Sequence, residues 1–197
     1  VPFHLWTADV YEGSPIAVMS FLSVISKGAI AFIFITILYK VFFFFCEVWY
    51  NMLFILAVIT MVIGHLFAIR QQNIKRFLAF SSIAQVGFIL VGMSSGSEVG
   101  ITAVVYFVLI YVFSNLAAFG VAAVIADRTG KENIDDYKGL YNTNPFLCWI
   151  LALALFSLAG IPPTAGFFGK LFLLTAGATK ASYTFITIAA LNMIVSL

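Results

Sequence analysis

The chain has 197 residues, of which 63% are apolar and 9% are charged, and its formal net charge is +2 at pH 7. Because soluble domains carry roughly 25% charged residues, this composition excludes a water-soluble globular protein and predicts an integral membrane protein. We expect an all-α polytopic transmembrane bundle that occupies residues 1–197 as one domain and has the lipid bilayer as its surroundings.

Long apolar runs follow a mixed opening segment. Residues 1–13 combine aromatic side chains with His4, Asp9 and Glu12, as an interfacial segment or the end of a broken helix would. Spans are predicted at residues 16–39, 48–69, 77–93, 99–126, 145–178 and 182–197. The chain begins with Val1 and its last run stops without a polar flank, so we expect a fragment of a longer protein.

Basic residues are unequally divided between the predicted loops. Residues 127–138 hold seven charged residues in twelve and predict a soluble loop. Two loops share six Lys and Arg residues, against two on the other side, which indicates that those two loops face the negative side of the membrane. The six are Arg70, Lys75, Arg76, Arg128, Lys131 and Lys138, and the two are Lys40 and Lys180.

Two lysines lie inside predicted spans. Lys27 is at the centre of residues 16–39, and Lys170 follows an uncharged run that extends from residue 139 to 169. A charge at the bilayer centre costs roughly 3 kcal/mol or more, and a lysine placed there titrates readily, so both are candidate proton-transfer residues. The alternative is that each side chain reaches an interface with its ammonium.

The predicted span at 145–178 is too long for one crossing and contains helix breakers. Gly160, Pro162 and Pro163 predict a break. The carbonyl groups freed by the prolines need protein or water as partners, so the break has to face the bundle or a wet cavity. A discontinuous helix with an ionisable side chain beside it is typical of an ion pathway.

Uncharged polar residues on the other spans are candidates for a proton relay or a water wire. They are Ser81, Ser82, Gln85, Ser114, Asn115 and Thr164, together with the titratable His65. The first three are spaced to share one helix face. Ordinary hydrogen bonding between helices is an equally good interpretation of the uncharged residues, and His65 could instead contact headgroups or backbone.

Cofactor and nucleotide motifs are missing from the sequence. It has neither GxGxxG nor GxxxxGK[ST], and Cys46 and Cys148 have no partners at metal-ligand spacing. The charged loop mixes both signs, which argues against nucleic-acid binding. We therefore expect no cofactor or metal site on this chain and an energy source in a partner protein or an ion gradient.

Four phrases carry a family resemblance: VPFHLWTADVYEGSP (residues 1–15), SK (26–27), NIKRFLAFSSIAQVGF (73–88) and SLAGIPPTAGFFGK (157–170). Together they resemble the antiporter-like membrane subunits of respiratory complex I, the NADH:quinone oxidoreductase. The resemblance implies inverted repeats, each with a discontinuous helix, and buried lysines across the membrane midplane. Lys27 then matches the family's central lysine, and Lys170 matches the terminal lysine. Gln85 stands where the family often has His, and Ala8 where it often has Pro.

This resemblance implies proton translocation coupled to quinone reduction elsewhere in the complex. NADH, FMN, iron–sulfur clusters and quinone would then be bound by partner subunits, beside other membrane-arm subunits. The membrane would be a bacterial or mitochondrial inner membrane, with Lys170 exchanging protons with the positive side. Two alternatives stay open: a subunit of a multisubunit cation/proton antiporter, and a static element whose lysines form fixed ion pairs.

Overall fold

The computed structural model describes residues 4–178 and 183–196. Every regular element in these two ranges is helical, which confirms the predicted all-α class. Residues 1–3, 179–182 and 197 lie outside the described part, and with them Lys180 and both ends of the predicted last span.

The helices follow one another with short connections. They are α1 (Leu5–Gly13), α2 (Ile16–Phe21), a π-helical turn (Leu22–Ser26), α3 (Lys27–Lys40), a 3-10 turn (Phe43–Phe45), α4 (Cys46–Ile69), α5 (Ile74–Ser94), α6 (Glu98–Thr129), a 3-10 turn (Ile134–Tyr137), α7 (Leu140–Thr143), α8 (Pro145–Ala159), α9 (Ala165–Ala178) and α10 (Tyr183–Val195).

Four helices in the described part are long and apolar enough to cross a membrane. They are Ile16–Lys40, in which α2, the π-helical turn and α3 are continuous, and Phe43–Ile69, Ile74–Ser94 and Glu98–Thr129. The last of these reaches three residues into the predicted soluble loop. It ends at Gly130, which has φ +67° and supplies the left-handed cap that commonly closes a helix.

Helix α5 is the central element of the bundle. It packs against α1, α4, α6 and α9, and most of its side chains are buried. Its approach to α4 is close because glycines face the partner helix. A Cβ on Gly64 would lie 2.7 Å from the Ala84 nitrogen, and one on Gly87 would lie 3.0 Å from the Ala57 oxygen. Polar residues on α5 therefore point into the middle of the protein.

The two basic loops meet at one end of the bundle. Asn73 and Asn133 form an isolated antiparallel bridge, with hydrogen bonds from the Ile74 nitrogen to the Glu132 oxygen (2.9 Å) and from the Ile134 nitrogen to the Gln72 oxygen (2.8 Å). The Lys75 ammonium also pairs with the Glu132 carboxylate at 2.5 Å. Both loops are thus on the same side of the membrane.

Helix α1 is attached to the N-terminal end of α5 by ion pairs. The Arg76 guanidinium lies 2.6 Å from a carboxylate oxygen of Glu12 and 3.3 Å from one of Asp9. These acids therefore order the segment that the sequence left as either interfacial or part of a broken helix. Ala8 and Tyr11, on the inner face of α1, are both 1% exposed.

Candidate proton-transfer site

The apolar segment at 145–178 is divided by a non-helical stretch between Ala159 and Ala165. Gly160 adopts φ +86°, and its nitrogen donates to the Phe156 oxygen at 2.9 Å, which ends α8 inside the bundle. Pro162 and Pro163 follow, joined by a cis peptide bond. The last carbonyl groups of α8 have no partners within that helix, so the break creates a set of inward acceptors.

Lys170 binds one of these acceptors. Its ammonium donates to the Ala159 carbonyl oxygen at 2.8 Å and to the Ser196 hydroxyl at 2.9 Å, and it lies 4.8 Å from the centre of the Phe88 ring. The side chain has no exposed surface. Because a helix carries partial negative charge at its carbonyl end, this position stabilises the protonated lysine.

Other side chains satisfy the neighbouring carbonyls. The Gln85 amide nitrogen donates to the Leu158 oxygen at 3.0 Å. The Thr164 hydroxyl donates to the Ile161 oxygen at 2.7 Å, within the break itself. Both residues were predicted as relay candidates, and in the structure each one makes a hydrogen bond that stabilises the discontinuous helix.

Lys27 forms a second polar centre. It lies directly after the π-helical turn, is partly buried, and donates from its ammonium to the Ser82 hydroxyl at 2.5 Å. The Ser82 hydroxyl in turn donates to the Ala79 oxygen at 2.7 Å. The ring of Tyr11 lies 5.6 Å from the ammonium. Turns of π-helix inside α-helices occur frequently at functional sites.

Three residues that the sequence analysis did not single out extend this centre. Ser23, in the π-helical turn, accepts a hydrogen bond from the Asn115 amide at 3.1 Å, and its oxygen atoms lie 3.2 and 3.3 Å from the Tyr111 hydroxyl. The Tyr11 hydroxyl also interacts with Ser23 and Ser82. The sequence signal for this cluster was weak, since a lone Ser or Tyr in an apolar helix is common.

A small cavity lies between the two centres. It holds about 10 Å³, and its polar lining comes from Tyr111, Gln85 and the Ser114–Ser157 pair, whose hydroxyls are 2.7 Å apart. A water molecule needs about 10–15 Å³ of such space and two to four polar partners. One water there would connect the cluster around Lys27 with the residues that cap α8 near Lys170.

The predicted polar face of α5 is divided between the two centres. Ser82 contacts Lys27, whereas Ser81 and Gln85 line a larger cavity together with His65. His65 is 6% exposed and makes an edge contact with Phe88, with ring centres 6.3 Å apart. The structure therefore places His65 inside the bundle, on the same side of α5 as Lys170.

Two groups in the loop at 127–138 have a shifted pKa. The Lys138 ammonium lies 2.7 Å from Asp135, and this hydrogen bond and the carboxylate charge raise the pKa of Lys138. Burial raises the pKa of Tyr137 to about 12, with smaller contributions from Glu132 and Asp136. Both shifts keep the proton on these groups near neutral pH, so Lys138 stays positively charged and Tyr137 stays neutral.

The structure combines spanning helices, a helix interrupted inside the bundle and a buried lysine that binds the interrupted end. This combination is typical of ion-transporting membrane proteins. The chain belongs to the family described as NADH:quinone oxidoreductase/Mrp antiporter, TM, whose model matches residues 1–196. Members of this family are integral membrane proteins, as the apolar helices require.

Curated relatives include the NADH-quinone oxidoreductase subunit N of Azobacteroides pseudotrichonymphae, which is 54% identical, and that of Phocaeicola vulgatus, which is 51% identical. Both alignments cover 100% of this chain but only 41% and 42% of the relatives. The chain thus spans about two-fifths of the length of these proteins.

Solved structures share the fold. A chain of the Mrp complex from Dietzia sp. superposes with a TM-score of 0.91 at 27% identity, covering 100% of this chain and 37% of that one. A chain of respiratory complex I from Thermus thermophilus with bound aureothin superposes with a TM-score of 0.81 at 31% identity, covering 100% and 43%. The fold is therefore found in both kinds of complex.

Proposed function

We propose that this chain is part of a proton-translocating membrane-arm subunit of an NADH:quinone oxidoreductase. Lys27 and Lys170 are the groups that gain and lose protons, and the polar residues between them hold the connecting water. The observation that carries the proposal is the continuity of the two centres. Lys27 contacts Ser82 beside the Tyr111 cluster, Tyr111 and Gln85 share the small cavity, and Gln85 caps α8 beside the carbonyl that holds Lys170.

Each lysine can exchange a proton because few hydrogen-bond acceptors stabilise its ammonium form. Lys170 has two hydrogen-bond acceptors and Lys27 has one, and among the described residues neither has a carboxylate partner. A permanent ion pair would hold the proton in place and would leave a charge buried when one partner moved. Neutral acceptors allow the ammonium to lose its proton without leaving an unpaired anion.

The redox chemistry belongs to partner subunits in this proposal. NADH, FMN, iron–sulfur clusters and quinone are bound there, and other membrane-arm subunits pack against this one. The chain contributes proton uptake, transfer and release, and its coupling to electron transfer passes through those neighbours. The curated relatives at 51–54% identity are named as subunits of this oxidoreductase, and that supports the choice.

The test is the number of protons moved per electron in membrane vesicles that contain the intact parent complex. Lys27→Ala and Lys170→Ala should each lower this ratio while the complex still assembles. Lys40→Ala is the matched control, since Lys40 ends the same helix that Lys27 begins. An unchanged ratio in both alanine variants would exclude the proposal and favour the static structural element.

A subunit of a multisubunit cation/proton antiporter is the second candidate, favoured by the superposition with the Mrp complex. The two candidates differ in their energy source. An antiporter exchanges Na⁺ or another cation for H⁺ in vesicles without an electron donor, and it copurifies with no flavin or iron–sulfur subunit. Cation-dependent proton movement under those conditions would replace the first proposal with this one.

A further inference from the structure

A cavity of about 360 Å³ lies between α4, α5, α8 and α10, and nothing in the proposed function uses it. Its polar lining comes from His65, Ser81, Gln85 and Ser196. Two of its side chains carry buried atoms that have no hydrogen-bond partner among the described residues, the Nδ1 of His65 and the Oε1 of Gln85. These residues are only 6% and 2% exposed, so bulk water at the protein surface does not satisfy them.

The residues that line the cavity indicate that it holds water. Buried polar atoms in folded proteins are almost always hydrogen-bonded, to protein or to ordered water. His65 Nδ1 can donate or accept and Gln85 Oε1 accepts, which is the mixed set that a water chain needs. The cavity has room for several waters. Its lining contains no carboxylate, so a metal cation would lack a charged ligand there.

The position of the cavity gives it a direction across the membrane. At its inner end it is lined by Ala159 and Ser196, the two residues that accept hydrogen bonds from Lys170. At its other end it is lined by Ile69 and Phe77, on either side of the basic loop at 70–76. That loop faces the negative side by its charge.

We propose that this cavity is a hydrated vestibule through which Lys170 takes up protons from the negative side, with His65 as the proton-exchanging group on the way. The inference rests on the proposed function and adds an uptake route. The family resemblance implies only an exchange of protons between Lys170 and the positive side. The same lysine would then accept a proton from one side and release it to the other.

The transfer step uses groups that are present. A neutral His65 accepts a proton at Nδ1 from water in the vestibule and passes it through that water to the Lys170 amine when the amine is neutral. Lys170 on α9 is the cationic group that faces His65, and the uncharged Asn192 on α10 is a hydrogen-bond partner of His65. The facing groups from α5 are the uncharged Ser81 and Gln85, and the lining residues of α8 are not ionisable. A charged Lys170 therefore opposes protonation of His65 and a neutral one permits it.

Sided labelling tests the vestibule independently of pumping. Ser81→Cys is introduced into the full-length protein after Cys46→Ser, Cys148→Ser and serine replacement of every cysteine outside residues 1–197, and sealed vesicles of either orientation are treated with Ag⁺. Blocking of the thiol is scored by maleimide labelling after denaturation. Thr102→Cys is the control for the opposite side, because it lines a separate cavity near the start of α6. Ile59→Cys is the control at an exposed apolar position on α4 that lines neither cavity.

Ser81→Cys should be blocked when the negative side is exposed to Ag⁺ and protected when only the positive side is exposed. Thr102→Cys should show the reverse pattern, and Ile59→Cys should stay unblocked. Blocking of Ser81→Cys from the positive side only, or no blocking while Thr102→Cys reacts, would overturn the vestibule. If Ser81→Cys reacts as expected but Lys27→Ala and Lys170→Ala both pump normally, the hydrated cavity stands and the proposed function fails.

The role of His65 needs a readout that a packing defect would not change. His65→Gln keeps a polar side chain of similar length, but the glutamine amide does not gain or lose a proton near neutral pH. It should lower pumping several-fold at high pH, where protons are scarce, and much less at low pH, at unchanged levels of assembled complex. An equal loss at every pH, or no loss, would remove His65 from the route.

Discussion

Lys170 donates a 2.8 Å hydrogen bond to the carbonyl oxygen of Ala159, the last residue of α8. The lysine and the end of the broken helix are therefore in direct contact. The end of α8 supplies roughly half a negative elementary charge, and Lys170 binds it directly. Any movement of the break changes how well the protonated lysine is stabilised, which gives a physical means of coupling a shift of α8 or α9 to proton release.

Gly160→Ala should disturb the contact between Lys170 and the end of α8. Gly160 has φ +86°, and an added Cβ would lie 3.0 Å from the Cδ of Lys170. The left-handed conformation costs a non-glycine residue about 1–2 kcal/mol, and the contact would displace the lysine. We expect a lower thermal midpoint of the purified complex and a lower proton-to-electron ratio.

Gly139→Ala separates the effect of backbone strain from the effect of contact with Lys170. Gly139 also has positive φ, +79°, but a Cβ there would meet nothing within 4 Å. Its variant should lose similar stability and keep its proton-to-electron ratio. Equal loss of pumping in both variants would mean that strain, and not contact with Lys170, is responsible.

Ser82→Ala should impair the centre around Lys27. It removes the hydroxyl that accepts from the ammonium, and a hydrogen bond to a charged group contributes about 1.5–3 kcal/mol. We expect slower proton transfer, measured as the initial rate of acidification or alkalinisation in vesicles. Ser94→Ala is the matched control, because Ser94 is also buried on α5 and donates to the carbonyl three residues earlier, and its hydroxyl has no hydrogen bond with a lysine of the described part. Equal rates in the two variants would contradict a role for Ser82.

Much of the helical pattern could be predicted because membrane spans leave a strong sequence signal. Unbroken apolar runs and basic flanks set the positions of α4, α5 and α6 to within a few residues, and the glycine and prolines at 160–163 marked the interruption. The end of α6 was less visible. Polar residues 127–129 continue the helix because the cap that ends it, Gly130, comes only after them.

The arrangement of the candidate site could be predicted only in part. A buried lysine is conspicuous in sequence, but its partners are decided by packing between distant helices. Spacing grouped Ser81 with Ser82, and the structure separates them, because neighbours on a helix point about 100° apart. Tyr11, Ser23 and Tyr111 were not predicted as site residues, because their hydroxyl groups come together only where α1, the π-helical turn and α6 pack against one another.

Arg76 is expected to position α1 over Lys27. It pairs with Glu12, the residue after Tyr11, whose ring lies against the Lys27 ammonium. Arg76→Glu should lower the stability of the complex by about 1 kcal/mol or less for the partly exposed pair and lower the rate of proton transfer through displacement of Tyr11.

A charge swap tests that relationship. The double variant Arg76→Glu with Glu12→Arg should recover part of the lost rate, because it restores opposite charges at positions 12 and 76, although the glutamate introduced at position 76 also lies near Asp9. Lys75→Glu is the control in the same loop, since Lys75 pairs with Glu132 instead. Failure of the swap to recover any rate, with normal assembly, would show that the pair does not position α1.

The central claim is that the amine of Lys170 changes its protonation state during turnover, and Lys170→Arg tests it most directly. Arginine keeps a positive charge at this place but does not lose its proton at any physiological pH. The measurement is the number of protons moved per electron in vesicles with matched amounts of assembled complex. We predict that Lys170→Arg lowers this ratio as much as Lys170→Ala does. A ratio equal to that of the unmodified protein would mean that a fixed charge is sufficient at this position, and it would contradict the account.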